Sequence, residues 1–242
     1  MDLMVTESGS GEALVVFVHG VLDRGRSFST VAEILSPDCR MLWYDRRGYG
    51  ASTDAPGVPA GIDTHIDDVL TVLDGRTAVV VGHSFGGVIA AGAAVRAPGS
   101  VEALVLYESV MGWAPEWDDR MLRQLLWGVE PEEAGLRMML GERYETLSAE
   151  AKARFLPRAK AFIQEERSAR GAVPPYDAAD LQVPVVYGFS DAFPVDGMRR
   201  HLSARVPDVE FVTISADHNA HRTAPEAFAG IVRHGLQRRR RP

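Results

Sequence analysis

One segment of the 242-residue sequence has the residue types that a serine nucleophile requires. Ser84 is the middle residue of the pentapeptide 82–86, which reads Gly-His-Ser-Phe-Gly. A β-branched apolar run, 77–81, precedes the pentapeptide, and a run of small and apolar residues, 87–95, follows it. A strand, G-x-S-x-G and a helix in this order are the context of a nucleophile elbow, which projects the serine hydroxyl at a helix N-terminus. The partial positive charge of that helix end favours a developing anion.

A serine hydroxyl is a weak nucleophile near neutral pH, so a base must take its proton. An imidazole can be that base when a carboxylate fixes its tautomer and stabilises the imidazolium. Four histidines follow Ser84, and they are His201, His218, His221 and His234. His201 and His234 lie in segments with a helical pattern that is typical of surface positions. His218 and His221 lie in a loop after the apolar run 209–214, so both are candidates for the base.

The composition narrows the classes of function. Hydrophobic residues make up 46% of the chain and charged residues 24%, which is the balance of an ordinary soluble domain. The formal charge of −7 argues against nucleic acid as a partner, because phosphate binding needs a basic surface. The one cysteine, Cys39, excludes an internal disulfide and a cysteine-rich metal site. The sequence has no metal-ligand spacing, phosphate loop or dinucleotide fingerprint, so we expect no metal and no cofactor.

The sequence predicts no membrane span and no signal peptide. No run approaches the roughly 20 apolar residues that cross a bilayer. Residues 1–7 contain neither a basic segment nor an apolar segment of the kind that a secretory signal needs. We therefore expect a cytoplasmic protein that acts on a small molecule.

Apolar runs alternate with helical patterns along most of the chain. This order predicts a parallel sheet with right-handed crossovers. The predicted strands are residues 14–18, 40–44, 77–81, 101–107, 184–187 and 209–214. The segment from 111 to about 176 has no convincing strand, and its helical patterns cover residues 118–127, 131–140 and 149–169. We interpret this segment as a helical insertion between two strands of one sheet.

Four blocks in this order resemble the α/β-hydrolase family. They are residues 17–20 (Phe-Val-His-Gly), residues 45–52, the pentapeptide around Ser84, and two late blocks around Asp191 and His218. The resemblance implies an α/β fold with a mostly parallel, doubly wound sheet of the α/β-hydrolase type.

The same resemblance implies a division of the chain. Residues 1–110 and 177–242 would form the core. Residues 111–176 would form a helical lid that is inserted after the sixth-strand position of the family's sheet.

In this family the triad follows the chain order serine, acid, histidine. The resemblance therefore implies that Ser84 is the nucleophile and that Asp191, in a G-x-x-D loop, is the acid. It favours His218 over His221 as the base, since His218 lies seven residues before the proline that opens the last helix. Some relatives place the acid at the position of Glu108, which would otherwise hydrogen-bond around the triad.

The resemblance also implies an oxyanion hole made of two backbone N–H groups. One belongs to Phe85, directly after the nucleophile, and the other to Val21. His19 and the loop 45–52 would shape the site as structural elements, with Arg47 as a buried or half-buried tether.

The predicted lid is rich in large apolar side chains, among which Trp113 is the candidate for the substrate pocket. We therefore expect a serine hydrolase that cleaves an ester or related acyl bond of a small apolar substrate through an acyl-enzyme. C–C bond hydrolysis, lyase chemistry and cofactor-free perhydrolysis remain alternatives on the same scaffold, as does a degenerate hydrolase that only binds a ligand.

Overall fold

The computed structural model describes residues 3–52, 60–171 and 173–239, without the side chain of Met139. Seven strands form one sheet in the order β1-β3-β2-β4-β5-β6-β7. β1 is antiparallel to β3, and every other neighbouring pair among the described strands is parallel. The strands are β1 Val5–Ser8, β2 Leu14–Val18, β3 Arg40–Tyr44, β4 Ala78–His83, β5 Val101–Tyr107, β6 Val185–Ser190 and β7 Val209–Ile214. The prediction of a mostly parallel α/β sheet is confirmed.

Helices cover both faces of the sheet. They are α1 Ser29–Leu35, α2 Ile62–Leu73, α3 Phe85–Arg96, α4 Arg120–Leu126, α5 Pro131–Leu140, α6 Ala149–Ala169, α7 Asp196–Arg205, α8 Ala220–Thr223 and α9 Pro225–Arg238. Alternate residues of β2 show the two layers. Val16 belongs to a buried cluster that also includes side chains of α2, α3 and α7, whereas Phe17 belongs to a cluster that includes side chains of α1 and α9. All five residues of β2 are buried, as expected for a strand that is covered on both faces.

The helical insertion leaves the sheet after β5 and contains α4, α5 and α6. Two of its small apolar clusters include Leu22, which lies just beyond the carboxyl end of β2. A buried ion pair between Arg46 and Glu165 also joins α6 to the loop after β3. The insertion therefore lies on the edge of the sheet where the parallel strands end. Its division from the core at residues 111 and 176 stays a prediction. The predicted core also includes residues 1–2, 53–59 and 240–242, which lie outside the described residues.

The loop 45–52 is held by buried ion pairs, as expected. The Arg47 guanidinium is buried and donates to both carboxylate oxygens of Asp68 in α2, at 2.6 and 3.1 Å. No helix in the described part of the chain is long and apolar enough to cross a membrane.

Candidate active site

Ser84 occupies a strained turn between β4 and α3. Its backbone has φ 53° and ψ −128°, a conformation that L-residues rarely adopt. A Cβ atom on Gly86 would lie 2.1 Å from the carbonyl oxygen of Val18, and one on Gly82 would lie 2.2 Å from Cα of Gly87. Only glycine fits at these two positions, which explains the G-x-S-x-G spacing. The turn leaves Ser84 half-buried, directly before the first residue of α3.

His218 lies in the loop between β7 and α8, and its partner is a glutamate at the end of β5. The Oε2 atom of Glu108 lies 2.6 Å from Nδ1 of His218. Glu108 is 3% exposed, whereas the side chain of His218 is 48% exposed. A buried carboxylate on one ring nitrogen leaves the other nitrogen free to exchange a proton with a substrate or nucleophile.

Asp191 does not contact His218, so the prediction that it is the partner carboxylate is wrong. Asp191 is exposed, and its carboxylate lies 3.5 Å from the hydroxyl of Ser215. The reason is the length of β6, which continues to Ser190 rather than ending near residue 187. Asp191 therefore lies beyond the end of β6. Glu108, directly after β5, has a longer side chain and contacts His218.

Ser190 completes the surroundings of the Glu108 carboxylate. Its backbone N–H and its hydroxyl both donate to Oε1 of Glu108, at 2.8 and 2.5 Å. Burial alone would raise the pKa of Glu108. The hydrogen bonds from His218 and Ser190 outweigh that effect and leave the pKa of Glu108 below its ordinary value. Glu108 is therefore ionised at neutral pH and can stabilise an imidazolium.

The hydroxyl of Ser84 makes no hydrogen bond to any described residue, and neither does Nε2 of His218. The two residues are linked instead through His83, whose Nε2 lies 2.7 Å from the carbonyl oxygen of His218. The rings of His83 and His218 have centroids 4.7 Å apart. Catalytic hydrogen bonds are often long without substrate and tighten only in the complex.

His221, the competing candidate for the base, is fully buried. Its Nε2 lies 3.0 Å from Oδ2 of Asp23, and its ring packs against Phe28 and His83. This environment supports a structural role for His221 and the choice of His218 as the base. Asp217, which precedes His218, accepts hydrogen bonds from Asn219 and Thr223 and so shapes the loop.

The structure brings together one group that could hold a metal ion among the described residues. Asp23, His83 and His221 each offer a ligand atom, and these atoms lie within 4.8 Å of one another. The three residues are far apart in the sequence, so no local spacing could have identified them. In this structure two of the three residues, Asp23 and His221, are hydrogen-bonded to each other.

The two predicted oxyanion donors remain available. The backbone N–H groups of Val21 and Phe85 have no acceptor among the described residues, and Phe85 is the first residue of α3. A Cβ on Gly20 would lie 3.0 Å from Cβ of Ser84, so the loop of Val21 passes directly beside Ser84. Leu22 continues this loop with φ 55°, a strained backbone that its packing against the insertion holds in place.

Arg46 fixes the chain that leads to Val21. Its guanidinium donates to the carbonyl oxygens of His19 and Gly20, at 2.9 and 3.1 Å. Its backbone N–H donates to Nε2 of His19, at 2.9 Å. Nδ1 of His19 therefore carries the proton and donates to Gly20. Burial, assisted by Arg46, lowers the pKa of His19 to about 3, so His19 is neutral and structural, as expected.

Glu165 of α6 pairs with that same guanidinium. The distances between the two groups are 2.8 and 3.2 Å, and the hydroxyl of Tyr49 donates to Glu165 at 2.8 Å. Nε2 of His65 also lies 2.8 Å from the Glu165 carboxylate. Sequence reasoning missed this buried network, because its members come from three separate segments: the loop 45–52, α2 and α6.

Trp113 is half-buried, and its ring meets the Tyr176 ring edge to face at 5.0 Å. The grooves that Trp113 lines have neither Ser84 nor His218 among their lining residues. The assignment of Trp113 to the substrate pocket therefore stays a prediction. Several other large apolar side chains of the insertion face solvent, including Met121, Trp127 and Met138.

The comparisons with known proteins agree on one family. The sequence profile described as "Alpha/beta hydrolase family" matches residues 15–231. The lipase LipV of Mycobacterium tuberculosis is 38% identical over 112 residues, which cover 45% of this chain and 42% of LipV. The 2-(acetamidomethylene)succinate hydrolase of Mesorhizobium japonicum is 26% identical over 93% of this chain and 88% of that protein. The match to LipV thus spans less than half the length of that relative.

Among solved structures, the enol-lactonase from Burkholderia xenovorans LB400 superposes with a TM-score of 0.72. The alignment covers 97% of this chain and 96% of the enol-lactonase, at 23% sequence identity. At this identity the likeness concerns the fold, and the chemistry must be argued from the site itself.

Proposed function

This chain belongs to the alpha/beta hydrolase family, and we propose that it is a serine hydrolase that cleaves an ester or related acyl bond. One observation carries the proposal. The strained turn at Ser84 lies beside two unused backbone N–H groups and next to a loop whose His218 is paired with buried Glu108. Each part has a role in acyl transfer, and together they supply a nucleophile, a base, an acid and an oxyanion hole.

The proposed reaction starts with attack of the Ser84 hydroxyl on the substrate carbonyl. His218 takes the hydroxyl proton at Nε2 and later gives it to the leaving group. Glu108 remains ionised and stabilises the imidazolium. The negative charge that develops on the carbonyl oxygen is met by the N–H groups of Val21 and Phe85. Water then attacks the acyl-enzyme with His218 again as the base, which releases the acid and restores Ser84.

The apolar side chains beside the oxyanion loop, which is the loop of Val21 and Leu22, support a small substrate with an apolar acyl group. Val21 and Leu22 pack with Leu126 and Phe162 of the insertion, so the loop has an apolar surface next to the nucleophile. In this proposal the insertion is a lid that excludes water from the acyl-enzyme. The acyl transfer uses only side chains and N–H groups of this chain.

A ligand-binding degenerate hydrolase is the second candidate. The observation in its favour is that Ser84 and His218 are not hydrogen-bonded to each other. A binder would need neither a reactive hydroxyl nor an ionised Glu108. Covalent labelling of the serine therefore separates the two candidates before any substrate is known.

The test is labelling with a fluorophosphonate probe, followed by assays with p-nitrophenyl esters. We expect the wild-type protein to be labelled at Ser84 and the Ser84→Ala and His218→Ala variants to remain unlabelled. Ser203→Ala, which changes an exposed serine of α7, is the matched control and should label like the wild type. An unlabelled but folded wild-type protein would overturn the hydrolase proposal in favour of a binder. Labelling without ester hydrolysis would direct the assays to thioesters, lactones and C–C bonds.

A further inference from the structure

A groove lined by arginines opens beside the oxyanion loop. Its volume is about 600 Å³, and its lining includes Leu22 and Asp23 together with four arginines, Arg24, Arg26, Arg158 and Arg222. Leu22 directly follows Val21, whose N–H is a proposed oxyanion donor. Arg222 lies four residues after His218, and Arg158 comes from α6 of the insertion. The groove is therefore built by the catalytic loops and the insertion together. We refer to it as the arginine groove.

The four guanidinium groups of the arginine groove have no acidic partner among the described residues, and that of Arg158 lies over the Phe155 ring, with Cζ 5.8 Å from the ring centroid. None of them forms an ion pair or a hydrogen bond there, and all four arginines are exposed. By contrast, the buried arginines Arg46 and Arg170 form ion pairs, with Glu165 and Asp119 respectively. Four like charges that line one cavity and form no ion pair with a described carboxylate repel one another, and an anion in the cavity would relieve this repulsion.

The nearby carboxylates are already occupied. Asp23, the one acidic residue among the described lining residues, accepts hydrogen bonds from His221 and Ser27. Asp45 lies near the groove and uses its two oxygens to accept the backbone N–H groups of Gly25 and Ala51, at 2.8 Å each. Neither carboxylate forms an ion pair with an arginine of the groove. The positive charge is concentrated in a chain whose formal charge is −7.

We propose that the arginine groove is a subsite for an anionic group, a carboxylate or a phosphate, carried by the substrate. The proposal rests on the hydrolase function above and extends it from the bond that is cleaved to the substrate class. A substrate whose carbonyl oxygen meets the N–H of Val21 places one of its arms next to Leu22, at the start of the groove. Guanidinium groups bind planar oxyanions through paired N–H donors, and Arg158 and Arg222 face the groove from separate elements.

The test compares esters that differ only in the charge of one arm. For the acyl arm the pair is 4-nitrophenyl hemiglutarate and 4-nitrophenyl valerate, which have acyl chains of the same length. For the leaving-group arm the pair is the valerate esters of 4-hydroxybenzoate and 4-hydroxyacetophenone. We expect kcat/KM to favour the anionic ester in one of the pairs by about tenfold to a hundredfold, the range of a charge-assisted hydrogen bond. The preference should shrink as salt screens the arginines.

Arginine variants locate the effect. Arg158→Gln and Arg222→Gln should each lower the anionic preference by about tenfold and leave kcat/KM for the neutral ester nearly unchanged. Arg154→Gln and Arg200→Gln are the matched controls, because both residues are exposed and lie outside the groove lining. Arg154 is on the same helix as Arg158. The control variants should keep the full preference.

A binding measurement separates this proposal from the hydrolase proposal. Calorimetric titration of the Ser84→Ala variant with glutarate should show binding that Arg158→Gln weakens and Arg154→Gln does not. Inorganic phosphate distinguishes a free ion from a substrate group, and in our proposal phosphate competes with the anionic ester. Equal rates for both members of each ester pair would overturn the subsite even when labelling at Ser84 succeeds. Phosphate binding that leaves hydrolysis of the anionic ester unchanged would also overturn it.

Discussion

The Oε2 atom of Glu108 lies 2.6 Å from Nδ1 of His218, although the two residues are 110 positions apart in the chain. Glu108 has φ 46°, so the backbone turns sharply at the end of β5 and directs the side chain across the end of β6. Its N–H is tied to the carbonyl oxygen of Gly188, at 3.0 Å. The carboxylate is therefore fixed on one side by the sheet and on the other by Ser190, and His218 receives an acid of defined position.

Substitution of Glu108 should damage catalysis far more than substitution of Asp191. Glu108→Gln keeps the shape of the side chain and removes the charge that stabilises the imidazolium. We expect kcat to fall by roughly 10²- to 10⁴-fold. Asp191→Asn is the matched control and should stay within about threefold of the wild type, because Asp191 is exposed and outside the site. Steady-state kinetics with a p-nitrophenyl ester checks both variants, and a larger loss in Asp191→Asn would restore Asp191 as the acid.

Substitution of one loop histidine should lower kcat, and substitution of the other should lower the free energy of unfolding. His218→Ala should lose roughly 10³-fold or more in kcat and remain as stable as the wild type, because this side chain is half exposed. His221→Ala removes a fully buried ring and one of the hydrogen bonds to Asp23, so we expect a loss of about 2–4 kcal/mol in the free energy of unfolding. Its folded fraction should retain most of kcat. Urea unfolding and kinetics on the same preparations measure both quantities, and an inactive but fully folded His221→Ala would identify His221 as the base.

Much of the fold could be predicted from the sequence, because the spacing of the apolar residues indicates each helix or strand locally. Helix α6 extends over Ala149–Ala169 and β5 over Val101–Tyr107, both as predicted. Strand β1, Val5–Ser8, was missed because its side chains are mostly exposed and carry no buried pattern. The turn at Ser84 could be predicted because only glycine fits two positions before and two positions after Ser84.

The carboxylate partner of His218 could not be predicted in the same way. Its identity depends on how far β6 extends past β5 and on the positive φ of Glu108, and neither is visible in a run of residue types. The arginine groove is a similar case. Its four arginines are scattered from Arg24 to Arg222, and only the folded chain shows that they share one cavity.

Glu165 should make the stability of the protein depend on pH in a defined window. Burial would raise its pKa, but the charges of Arg46 and His65 outweigh burial and lower the pKa of Glu165 to about 2, from 4.5. A carboxyl whose pKa is lower in the folded state stabilises the fold above its unfolded pKa. That stabilisation is lost as the pH falls from about 4.5 to about 2. A shift of this size corresponds to about 3 kcal/mol.

The measurement is urea unfolding of the wild type and Glu165→Gln between pH 7 and pH 3. We expect Glu165→Gln to be about 3 kcal/mol less stable at pH 7, because it leaves the buried Arg46 without a counter-charge, and the difference should narrow below pH 4.5. Glu142→Gln, an exposed position of the insertion, is the control and should follow the wild type within about 0.5 kcal/mol. A constant difference at all pH values would mean that Glu165 is not the group that titrates.

The length of a neutral acyl chain should report on the proposed lid. The apolar surface beside the nucleophile comes partly from the oxyanion loop, through Val21 and Leu22, and partly from the insertion, through Leu126 and Phe162. Burial of each additional CH₂ group contributes about 0.8 kcal/mol, so kcat/KM should rise by about threefold to fourfold per CH₂ from acetate to a chain of medium length. Phe162→Ala should flatten this rise, and Leu156→Ala, an exposed side chain on the same helix, should leave it nearly unchanged. The series of p-nitrophenyl esters gives the slope directly. A steady fall in kcat/KM from acetate onward in the wild type would show that the insertion does not line the acyl site.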